Sequence, residues 1–357
     1  MKLALMSDLH LGSRNDSAFF IDNFLKFSRE TFFPYLKDND IKTILLLGDI
    51  WDRRKYINFN TLHRALKEFF DPLKDMDIEI KIIYGNHDVF FKNTNHINSI
   101  DLLLKSYKNI EIIEFAKVFN FDGLNLGMIS WIHNGNLKES IDWISGCKAD
   151  ILCGHFEIKN FEMIPGHFCE QGFDAEMFNH FEYVFSGHFH VISSNTNNIY
   201  YLGNPQQLNW SDFGLKKGFH IFDTNTRELE LIENPHHVYE KLQYDDEIDI
   251  LDFNYQYYSD KIVRVYVDSL SLNSRRKFDL FIDKLTQISY DVSVQEIDRT
   301  MAQLFSEGIV ETKFTDTIEY IKTYIDSVDS STNIDKNVLK IYFNDIYSEA
   351  VEKSTLQ

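Results

Sequence analysis

A buried apolar strand that ends on a short polar motif, followed by a helix, occurs three times at the start of this chain. That repeat leaves few folds open. Residues 2–7 read as a strand ending on Asp8-Leu9-His10. Residues 17–37 follow as a Phe-rich helical stretch, with Phe20, Phe24 and Phe27 at i, i+4 and i+7, stopped near Pro34. Ile41–Leu47 reads as the next strand and ends on Gly48-Asp49, and Thr61–Phe70 as a helix with Leu62, Leu66 and Phe69 on one face. Ile78–Tyr84 is the third strand and delivers Gly85-Asn86-His87-Asp88. Strand, motif, helix in this order is the α/β pattern, whose ligand sites gather at the carboxyl ends of the strands.

The second half repeats the logic with less helix. Leu124–Ile129 and Ile151–Cys153 read as strands, the latter leading to Gly154-His155, and Tyr183–Phe185 leads to Gly187-His188-Phe189-His190. Ile199–Leu202, Phe219–Asp223 and Glu228–Ile232 close the region, the last two as a hairpin around Asn225-Thr226. This places a catalytic domain at 1–235. A small α+β accessory unit is expected at 240–298, with strands Ile262–Val267 and Val292–Ile297 around a helix Ser274–Ile288. Residues 299–314 read as a linker. The tail, 315–357, reads as a helix pair: Ile318, Ile321, Ile325 and Val328 form one apolar stripe behind an Asp316/Glu319 capping box, and Leu339, Tyr342, Phe343, Ile346 and Tyr347 form the other. Such stripes either pack on their own domain or wait for a partner.

At 357 residues, 44% of them hydrophobic, the chain can bury a large core, and no apolar run approaches the roughly 20 residues of a membrane helix. No signal-peptide layout precedes the first strand, and the cysteines number only 3, so a reducing, cytoplasmic setting is expected, the host cytoplasm if the chain is phage-encoded. The formal charge of −19 argues against a simple nucleic-acid binder without excluding one, because metals and a partner can offset it. Arg53-Arg54-Lys55, Lys216-Lys217 and Arg275-Arg276-Lys277 are the local basic groups; the last two read as solvated surface.

The motifs carry hard oxygens and imidazoles, and soft thiolate has no place among them; Cys153 therefore reads as a strand residue pointing away. A phosphodiester resists hydrolysis because the nucleophile meets negative charge and the leaving alkoxide is poor. Two metals about 4 Å apart address both problems and need a bridging carboxylate. Asp49 is the candidate bridge. Asp8 and His10, at i and i+2 of an extended segment, share a face. His188 and His190 are spaced so that each reaches one metal, Asn86 offers a neutral oxygen, and His155 completes the second metal. His87 points the other way and, oriented by Asp88, is placed as a general acid for the leaving oxygen; the alternative is a turn residue capping its loop. Singly these motifs are common. Five in order, each ending a strand, are a strong signal.

Those five motifs resemble the calcineurin-like metallophosphoesterase superfamily over residues 1 to about 205. Within it the chain is similar to the nuclease subunits of DNA double-strand-break repair complexes, the SbcD and meiotic-recombination-eleven family, in the short form of T-even-like phages. The resemblance implies a β-sandwich flanked by helices and manganese-dependent exonuclease and endonuclease activity on DNA, with magnesium as the other metal to consider. It implies one metal on Asp8, His10, Asp49 and His190, a second on Asp49, Asn86, His155 and His188, and His87 as the catalytic histidine. It further implies that 240–298 caps DNA, that residues 315–353 grip the coiled coil of an SbcC/Rad-fifty-type ATPase, and that a homodimer forms around residues 56–110. Asp52 stands where many members have a second histidine. Asp52, Arg53 and Arg54 are candidate substrate contacts, although Asp52 can equally hold a neighbouring His or Arg. The Asp52-Arg53 pair, shared with protein phosphatases, keeps open a metallophosphatase acting on phosphomonoesters or phosphoproteins.

Overall fold

In the computed structural model, residues 1–195, 198–268 and 275–296 are described. The first strand, Lys2–Met6, sets the architecture. Leu3 and Leu5 face one way, Ala4 and Met6 the other, and all four are buried. A strand buried on both faces needs a layer on each. Leu3 and Leu5 join Leu45, Leu126, Ile151, Cys153 and Phe185 in an apolar layer between two sheets. Ala4 and Met6 pack against Phe24, Phe27, Phe32 and Phe69 of the helices outside. On the far side, Leu152 and Val184 meet Ile144 of helix Leu137–Gly146. The fold is therefore the expected α/β sandwich, two six-stranded sheets face to face with helices outside.

The first sheet runs Leu229–Glu233, Gly218–Asp223, Lys2–Met6, Thr43–Leu46, Glu79–Ile83, Ile110–Ile113. Its last four strands are parallel and the closing hairpin is antiparallel. The second runs Ser193–Ser194, Ile199–Tyr201, Tyr183–Gly187, Ile151–His155, Leu124–Ile129, Ala116–Phe121, its inner four parallel. Ile110–Ile113 and Ala116–Phe121 escape the sequence pattern because they are edge strands with mixed polarity and only partial burial.

Two helices depart from expectation in the same way. The Phe-rich helix does not stop near Pro34. It runs Ala18–Phe27, widens into a π-helical turn over Ser28–Phe32 and continues as Phe33–Asp38. The next runs Phe59–Ala65, widens over Leu66–Phe70 and continues as Asp71–Asp75, through Pro72. In each, the residue before the proline bonds back five residues, Phe33 to Ser28 and Asp71 to Leu66. The wide turn absorbs a residue that lacks an N–H and would crowd the carbonyl four back.

A third, parallel sheet joins Tyr239–Tyr244, Ile262–Val267 and Asp291–Glu296. Leu242, Val263, Val265 and helix residues Phe278, Phe281 and Leu285 make its own core. Tyr239–Tyr244 lacks a clear strand pattern in the sequence because Glu240, Lys241 and Gln243 interrupt its apolar positions. Phe19, Phe20, Leu208, Val238, Tyr239 and Ile262 pack as the seam with the sandwich. The expected linker at 299–314 and tail helices at 315–357 lie outside the described residues.

Candidate metal centre

The motifs lie at strand ends or just beyond them, and the sheet ladder of the first sheet continues briefly into the loops. Asp8 N–H donates to Gly48 C=O at 3.1 Å and His10 N–H to Asp49 C=O at 3.1 Å. The backbone then turns left-handed at Asp8 (φ 55°), His10 (φ 44°), Asp49 (φ 53°) and His188 (φ 91°). Asp8 and His10 thus converge through two unusual turns and not through the shared face of an extended segment. Each such turn costs a non-glycine residue roughly 1–2 kcal/mol. Gly48, at φ +86°, has no alternative: a Cβ there would come within 2.6 Å of Gly85 N and 2.9 Å of His155 Nδ1. At Gly85 a Cβ would collide with the Asp49 carboxylate.

All seven expected ligands come together. His10 Nε2 and His190 Nε2 lie 3.0 Å apart. Asn86 Oδ1 lies 2.9 Å from His188 Nδ1 and 3.0 Å from His155 Nε2. Asp49 Oδ2 sits between the groups, 3.4 Å from His155 Nε2 and 3.8 Å from His10 Nε2. Its other oxygen accepts the backbone N–H of His87 at 2.7 Å. Asp8 lies 4.0 Å from His10 and accepts the His188 N–H at 3.0 Å. Nitrogen and oxygen donors sit roughly 2.0–2.2 Å from a divalent ion, so atoms about 3 Å apart suit adjacent positions on one ion. Three overlapping groups of donors, Asp8/His10/His190, His10/Asp49/His87 and Asp49/His155/His188, each lie within 4.8 Å.

Electrostatics and donor chemistry fit divalent cations. Burial opposes charge on His10, but Asp52, Asp49 and Asp8 outweigh it and raise its pKa to about 9. Burial likewise opposes charge on His155, and Asp49 chiefly raises it to about 9. Asp49 is buried, yet His155, His87 and His10 hold it well below the usual carboxylate range. Burial, with His10 and Lys217 nearby, pushes His190 well down, which keeps it a neutral donor. The cluster therefore demands positive charge. His155 Nδ1 lies 2.7 Å from Leu47 C=O; donating there leaves Nε2 facing oxygens with a lone pair unless cationic charge intervenes. Cys153 lies in the layer between the sheets and is not among the donors.

Asp88 does not orient His87. It is fully buried and accepts the backbone N–H groups of Asp49, Ile50, Trp51 and Gly85 at 2.8–3.3 Å, tying two motif loops together. Burial and Asp49 push its pKa up to about 7. His87 is instead held at Nδ1 by the Asp52 carbonyl at 2.6 Å, and burial pushes its pKa down. The Asp52 carboxylate faces His10 Nδ1 at 3.4 Å, an ion-pair separation longer than a good hydrogen bond. Arg53 donates to Asp16 at 2.9 Å and to Asn15 at 2.5 Å. Arg54 is half-buried with its Nη1 unpartnered, and burial lowers its pKa against the pull of Asp49. Lys217 is not solvated surface. It is buried, pairs with Asp212 at 2.6 Å and holds the His190 carbonyl at 2.9 Å. Glu157, 3.2 Å from His188 Nε2, and Trp131, whose ring lies 5.5 Å from that of His188, also frame the site. No spacing announced them, since each reaches the cluster only through the folded sandwich.

Parallel strands from two packed sheets that end on such a cluster are the architecture of a metal-dependent phosphoesterase. Residues 1–192 match the calcineurin-like phosphoesterase family, and the chain belongs to it. It is 30% identical over 354 residues to Exonuclease subunit 1 of Enterobacteria phage T4, covering 99% of this chain and 100% of that protein. Similar solved structures are the inner membrane complex anchor GAP50 of Plasmodium (TM-score 0.36, 13% identity, 66% of this chain and 90% of that one) and a protein of unknown function from Aquifex aeolicus (TM-score 0.24, 17% identity, 43% and 77%). Among the described residues no helix is long and apolar enough to cross a membrane.

Proposed function

We propose that this chain is the nuclease subunit of an SbcCD-like nuclease–ATPase complex, an exonuclease and endonuclease that cuts DNA phosphodiesters with two Mn²⁺ ions. The two-metal reading rests on Asp49 Oδ2, which lies within reach of His10 and of His155, histidines of different donor groups. The choice of DNA is supported by the full-length similarity to the phage exonuclease subunit. Asp8, His10, Asp49 and His190 would hold one ion and Asp49, Asn86, His155 and His188 the other. Such a pair supplies a nucleophile at neutral pH and offsets charge on the phosphoryl oxygens. The chain's own work is orientation. Leu47 C=O, Glu157 and Lys217 fix His155, His188 and His190. With Nδ1 held by the Asp52 carbonyl, His87 presents Nε2 to the leaving 3′ oxygen, and as an imidazolium it would donate the proton of that nitrogen there.

The alternative, a phosphomonoesterase, drew on Asp52-Arg53. Arg53 is engaged by Asp16 and Asn15, which weakens that reading. Purified protein with Mn²⁺ is to be assayed on linear duplex DNA and on p-nitrophenyl phosphate; cleavage of the monoester alone would sink the nuclease assignment.

The remaining assignments follow. Tyr56, Phe59, Phe91, Ile97 and Leu102 are exposed apolar side chains that support a homodimer around 56–110. The unit at 240–298 caps the DNA, and residues 315–353 bind the SbcC/Rad-fifty-type ATPase. The complex works in the host cytoplasm on DNA ends in repair, recombination and recombination-dependent replication. Deleting 315–357 should abolish co-purification with the ATPase while sparing Mn²⁺-dependent cleavage.

A further inference from the structure

The cleft in front of the donor cluster, about 280 Å³, has a second wall made of Ser13, Arg14, Leu208 and Asn209. Arg14 is the one arginine or lysine among the lining residues. Its Nε donates to Leu208 C=O at 2.8 Å, and Nη2 lies 3.5 Å from Tyr239 Oη. Among the described residues no carboxylate pairs with it. Arg53 and Arg64 differ: Arg53 binds Asp16, and Arg64 binds Asp22 and Glu68. In a chain of net charge −19, an arginine without an acidic partner beside such a cleft is matched to an anion from outside.

The backbone supports this. Arg14 sits at φ 52°, ψ 47°, and Asn15 (φ 63°) and Asp16 (φ 57°) are left-handed too. Glycine would adopt this turn without strain; arginine does not. The turn is braced by Asp16 N–H to Gly12 C=O at 2.9 Å, by Thr61 Oγ1 to Asp16 at 3.0 Å and by Arg53 to Asp16. Strain held in place by its surroundings at the mouth of a site fixes where the side chain emerges.

We propose that Arg14 binds a backbone phosphate of the substrate strand next to the one being cut. The phosphate being cut belongs to the wall of metal donors. Arg14 stands on the other wall, anchored at Leu208 and Tyr239, where a strand lying along the cleft brings its neighbouring phosphate. This rests on the nuclease reading above.

The test compares Arg14→Gln and Arg14→Gly with the parent full-length chain, loaded with Mn²⁺, on an oligonucleotide and on bis(p-nitrophenyl) phosphate, which has no neighbouring phosphate. Both variants should raise KM for the oligonucleotide about tenfold, the size of one charge-assisted contact. They should reduce the salt dependence by about one phosphate and leave kcat and small-diester cleavage unchanged. The melting temperature of Arg14→Gly should equal or exceed the parent's. Equal losses on both substrates, an unchanged KM, or activity lost in step with melting temperature would overturn the assignment. If the parent cuts the small diester but no DNA, the nuclease reading itself falls and takes this proposal with it. DNA cleavage with an unaltered KM removes only Arg14.

Discussion

The two sheets bring different chemistry to their common edge. Loops of the first sheet carry the oxygens of Asp8, Asp49 and Asn86; Asp8 and Asp49 sit in left-handed turns, and Asp88 ties the Asp49 and Asn86 loops together. The second carries His155 on the last residue of a strand and His188 and His190 in the loop after another, each ring or backbone held by a fixed partner. One of those partners, the Leu47 carbonyl, comes from the first sheet. Neither sheet therefore owns a complete donor set. A change to the shared carboxylate strikes both groups, and a change to one histidine's support strikes one.

This difference ranks the expected effects. Asp49→Ala should reduce Mn²⁺-dependent cleavage about a thousandfold or more, because the oxygen shared by both groups is gone; a variant that keeps measurable parental turnover would break the contrast between the sheets. His87→Ser should lower kcat by about 10²–10⁴ while the bound metal is retained, and loss of metal would make it a donor instead. Glu157→Ala frees the far side of His188 alone. It should weaken one of two Mn²⁺ binding steps by about 10–100-fold in calorimetry and leave the other unmoved. A matching loss in both steps would show that the groups are not separable.

The last effect is on stability and not on activity, and it concerns the layer joining the sheets. His220 pairs with Leu5 across the strands, is buried, and has an unpartnered Nδ1. Burial lowers its pKa from 6.5 to about 4. The folded state thus prefers neutral His220. That contribution is fully present above pH 6.5 and is lost as the pH falls towards 4, amounting to about 3 kcal/mol at most. Denaturant melts of His220→Leu should show a shallower decline over that window. A decline identical to the parent's would place the acid sensitivity elsewhere.

What was legible in the sequence followed from position along strands. Asp8, Asp49, Asn86, His155 and His188 each sit at or just after a strand end, so one-dimensional spacing revealed the cluster and its α/β frame. Three things were not legible. The i, i+2 argument brought Asp8 and His10 together for the wrong reason, since the left-handed turns depend on loops that brace one another. Asp88 looked like the partner of its neighbour His87, but a buried carboxylate surrounded by four unpaired backbone N–H groups binds those first. Glu157, Lys217 and Arg14 act across distances in sequence that no local pattern encodes. Pro34 misled because a π-helical turn can carry a helix through a proline.

The proposed nuclease requires Asp49 to join two metal sites into one. Electron paramagnetic resonance of the Mn²⁺-saturated chain tests it most directly. Two ions sharing the Asp49 carboxylate predict a spin-coupled dimanganese spectrum that Asp49→Ala converts to isolated Mn²⁺ signals. A spectrum of isolated ions in the parent, or coupling that survives Asp49→Ala, would rule out the shared carboxylate.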